Sequence, residues 1–483
     1  MWRTALVLAC VIAGFGPAVT AEDCPEIVGG WPYSPANAVA QSGTFENYGR
    51  GAVPEGIAAI ENASWSNPNP SFSEKAKLLP SDGGAVGRFG FSVAVSQDVV
   101  VVGQEFNDGC FVFERPPEGW SGTLNEVAQV FPTSGTSGDR FGYSVAVVDD
   151  VVFVGAFLAD GMAPGTGAVY VFERPPSGWV GTVTESAVLV ASDGMSESLG
   201  VSIAATSDVV VAGSYDNAHG YQSGAAYVFP RPVSGWSGQI TESARLEPSD
   251  PTEFAFFGCA VAVDAGTIVV GSHHGGVSQR PGVAYVFEEP PGGWAGTMSE
   301  SAKLQASDVN LEDFFGASAA ISGETVVVGS PESSTGAVGS GSAYVFEEPP
   351  EGWTGVLSES AKLVAETPTI VDLLGYSVAA AGDLVFAGSP SPFADGTEQG
   401  RVRVYERPVG GWAGVVTESS ILAASDGHLL NTFGCSVAYS DPILVVGAYN
   451  DATNGSAYVF ESDHLFSDSF ESGDTSAWST TVP

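Results

Sequence analysis

Four histidines and a set of acidic side chains are the residues whose chemistry would matter most in this chain. His219, His273, His274 and His428 lie in turn-rich stretches that also carry Asp160, Asp216, Asp395, Asn450 and Asp451. Imidazoles beside carboxylates are the donor set of a transition-metal site. A metal needs several convergent ligands, however, and only the adjacent His273-His274 pair is certain to be close, in a poor chelating arrangement. Exposed loop histidines are the simpler reading. Nucleophilic catalysis has even less support: Gly142-Tyr143-Ser144 lacks the final glycine of a nucleophile elbow and recurs as ordinary strand sequence. The many carboxylates leave a glycosidase-like pair formally open. No nucleophile–base–orienter set stands out, so a non-catalytic protein is expected.

These residues interrupt a repeat. Phe-Gly (or Leu-Gly) followed by a short Ser-Val-Ala-Val-type run and then Val-Val-Val-Gly occurs seven times, with glycines at Gly90, Gly142, Gly200, Gly258, Gly316, Gly375 and Gly434. A fixed period of 52 to 59 residues means one supersecondary unit copied along the chain, each copy burying its apolar surface on its neighbours. Each copy reads as four short strands separated by Gly, Pro and Asp, with no helical period. The runs do not alternate cleanly, as expected when both sheet faces are covered. The fold class expected is all-β: a seven-bladed β-propeller of four-stranded antiparallel blades.

A fourth-strand element starts at Glu126, Glu185, Glu242, Glu300, Glu359 and Glu418, but none follows the last Ala457-Tyr458-Val459-Phe460. One precedes the first repeat, Ser73-Glu74-Lys75-Ala76-Lys77-Leu78-Leu79, so this N-terminal strand is expected to complete the last blade and fasten the ring. The domain reading is residues 1–21 as a signal peptide, 22–72 as a leader, 73–460 as the propeller and 461–483 as an acidic Ser/Gly-rich tail. That tail is read equally as a sorting or surface-attachment signal and as plain disorder.

Alternating strand direction puts the second-to-third-strand loops and the blade-to-blade connections on one face. Those loops differ most between copies and hold Asp160, Asp216, His219, His273, His274, Asp395, Asn450 and Asp451, the candidate ligand-face residues. The same face receives recurrent Ser-Asp pairs at Asp82, Asp193, Asp250, Asp308 and Asp426, whose simplest role is to cap a turn through their own backbone. The other face carries Trp120, Trp179, Trp236, Trp294, Trp353 and Trp412, one per copy. Such a ring could stack on sugars, but identity in every copy argues for packing at the blade margin.

Lys+Arg total 16 against 56 Asp+Glu, a formal net charge of −40. That field repels polyphosphates and leaves no basic surface for nucleic acid. It suits solubility first, and attraction of cations or of a basic partner second. Arg3, the apolar run from Ala5 to Phe15 and small residues at Val19 and Ala21 form a secretory signal with cleavage expected after Ala21. No apolar stretch is long enough for a spanning helix. Cys259 and Cys435 hold equivalent positions three blades apart, too far for a disulfide, and read as small core residues. An oxidising destination permits a Cys24–Cys110 pair, which spacing alone does not establish.

With Phe-Gly opening the first strand and Gly-Ala or Gly-Ser-Pro closing the second, each copy resembles the FG-GAP repeat, the blade of the integrin α-subunit propeller and of many secreted bacterial proteins. The matches include Phe141-Gly142 with Gly155-Ala156, Phe315-Gly316 with Gly329-Ser330-Pro331, and Phe433-Gly434 with Gly447-Ala448-Tyr449. The resemblance implies a secreted or cell-surface module for binding or adhesion, acting as a monomer on a protein or glycan. A lectin-like or carbohydrate-active protein, or a structural envelope component, is the alternative. It also implies calcium in Asp-rich loops between the first and second strands. Here those connections are Gln97-Asp98, Asp149-Asp150 or Gly323-Glu324, too short to supply six to eight oxygens. No cofactor is therefore expected.

Overall fold

The computed structural model describes residues 71–81, 87–106, 109–135, 138–194, 198–215, 223–273, 281–308, 310–390, 399–428, 431–451 and 454–462. These residues form strands and turns and no helix, arranged as seven sheets around a common axis. In each sheet the first strand, such as Phe141–Val148, lies innermost, and pairs antiparallel with the second, Val151–Ala156, and that with the third, Ala168–Glu173. First strands of successive blades touch, and Ser436–Ser440 of blade 7 packs on Phe89–Ser96 of blade 1, which closes the ring. Inner strands such as Phe89–Ser96 and Phe141–Val148 are buried at every position, because neighbouring blades cover both faces.

The N-terminal strand does fasten the ring. Phe72–Leu79 pairs antiparallel with Ser456–Ser462 and becomes the fourth strand of blade 7. The blades are not purely antiparallel and four-stranded, however. Six sheets have five strands, and the fifth belongs to the next repeat and runs parallel. Gly181–Thr184 of repeat 2, for example, lies along Ala128–Phe131 of blade 1, and Gly238–Thr241 of repeat 3 along Ala187–Val190 of blade 2. The third-to-fourth-strand connection of each repeat is long enough to cross to the preceding blade before turning back. Its few residues alternate one apolar side chain with exposed polar ones, a signal too short to read as a strand in sequence. Among the described residues only blade 6 (Val378–Ala381, Leu384–Ser389, Arg401–Glu406, Ser420–Leu422) keeps four.

The six tryptophans precede these crossing strands and are buried, with 0 to 6% exposure. Trp236 of repeat 3 packs edge-on against Phe153 of blade 2, with centroids 5.5 Å apart. They plug the outer end of the preceding blade and offer no ring to a sugar.

Two rings of polar contacts tie the blades. A glutamate ending each crossing segment accepts from the exit turn of the previous blade: Glu126 from the backbone N–H and hydroxyl of Ser81 (2.8 and 2.6 Å), Glu242 likewise from Ser192, Glu300 from Ser249 and Glu359 from Ser307. Glu185 does the same to Thr133, and Glu418 takes the Glu366 N–H. Glu74 completes the set on Ser425, across the ring closure.

The recurrent aspartates form the second ring. Asp308 and Asp426 accept from their own backbone N–H, as the sequence suggested, and the aspartates also clamp the next blade. Asp308 accepts from the Tyr344 hydroxyl (2.9 Å) and the Lys362 ammonium (2.7 Å), and Asp426 from Tyr458 (2.8 Å) and Lys77 (2.7 Å). Asp193 takes Tyr227 and Arg245, while Asp250 faces Tyr285 and Lys303. Asp82 lies outside the described residues. Tyrosine and lysine sit on adjacent strands of one face, and a carboxylate from the neighbouring blade satisfies both at once.

Two outcomes follow. Removing residues 72–79 takes away a central strand of blade 7 and the Glu74 latch together. Urea unfolding should then show one transition at much lower midpoint; loss confined to blade 7 would contradict closure by this strand. Partial burial alone would raise the Asp308 and Asp426 carboxyls, but hydrogen bonds and charge from lysine and tyrosine outweigh it and hold both below the ordinary 3.8. Their contribution is therefore present above about pH 4 and lost as pH falls through the depressed values. Asp308→Asn should give a lower Tm at neutral pH and a shallower decline below pH 4, measured by thermal melts.

Candidate functional site

Each blade begins with the same turn. The residue before Phe-Gly accepts a bond from the residue after it, as in Phe91 N–H to Arg88 C=O (3.2 Å) and Tyr143 N–H to Arg140 C=O (3.2 Å). The glycine occupies the third position at φ of 83 to 93°, the left-handed value a type II turn demands there. The first residue is also left-handed in all seven copies: Arg88, Arg140, Ser198, Phe256, Phe314, Leu373 and Thr432, at φ between 51 and 108°. Non-glycine residues adopt this backbone at a cost of about 1–3 kcal/mol each. One recurrent turn thus projects side chains of five types around the axis on the loop face.

The fourth turn residue and the residue after the second strand complete the rim. On one side the result is an arc of aromatic rings. Tyr449 packs on Phe91 (5.7 Å between centroids), Phe91 on Tyr143 (5.0 Å) and Tyr143 on Phe157 (4.5 Å). Farther round, Tyr215 meets Phe256 (5.9 Å), which stacks on His273 (5.0 Å, 15° between planes), and His273 leans on Phe314 (5.3 Å). Phe91 and Tyr143 are buried near the axis, whereas Phe157, Tyr215, Phe256, Phe314 and Tyr449 are half-buried. The remaining sector carries Ala317, Pro331, Leu373, Tyr376, Pro390, Thr432 and Cys435 and is mostly smaller.

Charge gathers at one point of the arc. Glu105 is 4% exposed and accepts from Arg88 (2.7 Å) and Arg140 (3.2 Å). The two guanidinium groups bracket Phe106, 4.9 and 4.5 Å from its ring centre, and Arg88 also lies over Tyr449 at 5.2 Å. The glutamate holds the guanidiniums, the rings stack on them, and their side chains remain about a third exposed. Two fixed cations on a chain of net charge −40 give this patch a sign opposite to its surroundings. Burial raises the Tyr449 phenol, which stays neutral.

The structure scatters the sequence candidates. Asp160 is exposed, and its carboxylate accepts the Gly165 N–H (3.0 Å) inside its own loop. His273 is not an exposed loop histidine but a buried ring between Phe256 and Phe314. Asn450 is exposed and donates its N–H to the Thr432 hydroxyl (3.2 Å). Asp451 is a structural anchor, 1% exposed, accepting from Lys77 and the Ser456 hydroxyl (both 2.6 Å) and from Tyr458 (3.0 Å). Asp216, His219, His274 and Asp395 lie outside the described residues, as does Cys24. Cys110 is buried mid-strand as a free thiol. Burial pushes the Cys259 and Cys435 thiols up to about 12, so both stay protonated.

Arg88, Phe106, Arg140, Phe157, Phe256 and Phe314 were not singled out from sequence. For Arg88, Arg140, Phe256 and Phe314 a signal was present: the position before Phe-Gly or Leu-Gly carries five residue types in seven copies.

Comparisons with known proteins agree with the repeat. No curated protein matches the chain. The solved structure of the Dos1 propeller is similar over 77% of this chain and 78% of its own, at 14% identity and a TM-score of 0.45. The FG-GAP repeat matches at residues 72–113, 124–172, 240–287, 298–346 and 416–460. The stretches between these matches contain Leu199-Gly200 and Leu374-Gly375, the two turns whose phenylalanine is replaced by leucine. The chain is an FG-GAP repeat protein whose copies build a seven-bladed β-propeller.

Proposed function

We propose that this propeller is an exported, non-catalytic binding module that captures a protein or glycan at a cell surface on its loop face, in an adhesion role. The observation carrying this reading is the rim. Seven turns of one strained form hold side chains of five types, and half of the circle is aromatic with two partly exposed guanidinium groups. Rigid half-buried rings give contact area at little entropic cost, and an arginine fork adds donors for a carboxylate or hydroxyl pair. The signal sequence at residues 1–21 supports export, with Glu22 as the first mature residue. A glycan ligand is the second reading, favoured by the half-buried rings of the arc, since the buried tryptophans are poor candidates.

The experiment is a glycan array and a panel of purified cell-surface proteins probed with the mature chain. Phe157→Ala, Phe314→Ala and Arg140→Ala should each weaken capture about tenfold, equivalent to roughly 1.4 kcal/mol for one anchor. Val409→Ser, at a fully exposed turn on the opposite face, should leave it unchanged. Glycan hits lost in the aromatic variants would identify a lectin, and a blank array with protein capture would identify an adhesin. Capture unaffected by all three rim variants would sink the assignment. Binding is expected to persist in chelator; loss there would mean that a metal takes part.

A further inference from the structure

Blade 6 departs from the other six in a way that leaves a surface uncovered. Elsewhere the fourth strand reads buried Ala, half-buried residue, fully buried Leu or Val, with the crossing strand alongside: Ala361–Val364 is flanked by Gly414–Thr417, and Ala302–Leu304 by Gly355–Leu357. In blade 6 the strand Ser420–Leu422 ends the sheet. Ser420 is half-buried, its hydroxyl enclosed with no partner, Ile421 is 49% exposed, and Leu422 is 7% exposed where its counterparts are at 0%. An apolar strand edge with unspent backbone groups is a ready template for another strand.

Part of the missing cover is supplied by the N-terminal strand. Phe72 stands two residues before Glu74, as Ile240 stands two before Glu242, and its ring meets Phe386 at 5.3 Å. Phe386 is the counterpart of Phe153, which in blade 2 also carries Trp236. No tryptophan among the described residues takes that place over Phe386. The chain holds one in matching surroundings beyond the described residues. Ala477-Trp478-Ser479-Thr480-Thr481-Val482 parallels Gly119-Trp120-Ser121-Gly122-Thr123-Leu124, and it follows the third strand of repeat 7 as the other copies follow theirs.

We propose that the open edge of blade 6 is the docking surface for this chain's own residues 477–482, with Trp478 seated over Phe386 and residues 480–481 running parallel beside Ser420 and Ile421. Reach is ample: seven positions separate Phe113 from Trp120, and eighteen separate Phe460 from Trp478. The longer lead also answers the one departure. Thr480 replaces a glycine that sits at φ of 63 to 70° in the other copies, a backbone that a β-branched residue avoids, so the segment enters at a different angle. Phe72 keeps the apolar place that Leu124 fills in the first repeat, and the tail adds the tryptophan.

Hydrogen exchange on the full chain tests this. Amides of residues 420–422 should be protected, and Trp478→Ala should speed their exchange about tenfold while residues 361–364 of blade 5 stay unchanged. Ile421→Cys with Thr481→Cys, in a Cys24→Ser background, should form an intrachain disulfide, since the thiols at Cys110, Cys259 and Cys435 are buried. Unchanged exchange in Trp478→Ala, or no disulfide, overturns the proposal. So does loss of protection in Trp65→Ala instead, which would make the leader the occupant. Protection that rises with protein concentration would point to a second copy pairing edge to edge, and would equally overturn it.

Discussion

The architecture depends on how closely two backbones approach at each blade junction. The second-strand glycine of one blade faces the carbonyl of the Phe-Gly glycine of the next, and a Cβ built on Gly103, Gly155 or Gly213 would lie 2.1, 2.0 or 1.9 Å from that oxygen. No side chain fits there. The oxygen is meanwhile taken by a hydroxyl from the same blade as the second-strand glycine: Ser92 to Gly142, Ser144 to Gly200, Ser202 to Gly258, Ser318 to Gly375 and Ser377 to Gly434, at 2.6 to 2.9 Å. In the two remaining junctions a thiol points at it instead, Cys259 at Gly316 and Cys435 at Gly90, both 3.4 Å. These cysteines are the buried core residues the sequence suggested, and each also takes a place in a seven-membered ring of contacts. A buried carbonyl without a donor is costly, so this contact explains why both glycines recur in every copy.

Once that contact is fixed, freedom is left only at its margins. The residues of the Phe-Gly turn cannot change where the backbones touch, but the residues before and after it project away from the junction. Those are the positions at which arginine, serine, phenylalanine, leucine and threonine alternate, and they are the positions that make the rim. The same division appears in the strained φ values. All seven copies keep the first turn residue left-handed, whatever its type, because the junction dictates the backbone and the side chain merely accepts it.

The repeat, the ring and the N-terminal closing strand were legible because each rests on many residues recurring every 52 to 59 positions. The crossing fifth strands were not. Gly238–Thr241 offers one inward residue, Ile240, and its partner lies about 50 positions away, so nothing local marks it as a strand. The rim fared similarly. Asp451 and His273 attracted notice by type, yet position decides their role: one is spent on Lys77, Ser456 and Tyr458, the other on two phenylalanines. Arg88 and Arg140 lie 52 positions apart in sequence, and only the ring brings both within 5 Å of the Phe106 ring centre. A site assembled from equivalent positions of different blades leaves no contiguous motif.

The acidic composition also reads differently on the folded ring. Seven latch glutamates and four clamp aspartates are each held by donors from a neighbouring blade, so a part of the net −40 is architecture and not a free field for cations. Carboxylates suit this work because each oxygen pair accepts two donors at once, a backbone N–H with a hydroxyl, or a phenol with an ammonium. Neutral amides would satisfy one donor and present another in its place. The few basic residues are distributed by the same logic: Lys77, Lys303 and Lys362 clamp blades, Arg403 is buried against Asp372 at 2.7 Å, and Arg88 and Arg140 stand on the rim. In a chain this poor in cations, two of them meet on one carboxylate at one point of the loop face, within the aromatic arc and apart from the acidic loops.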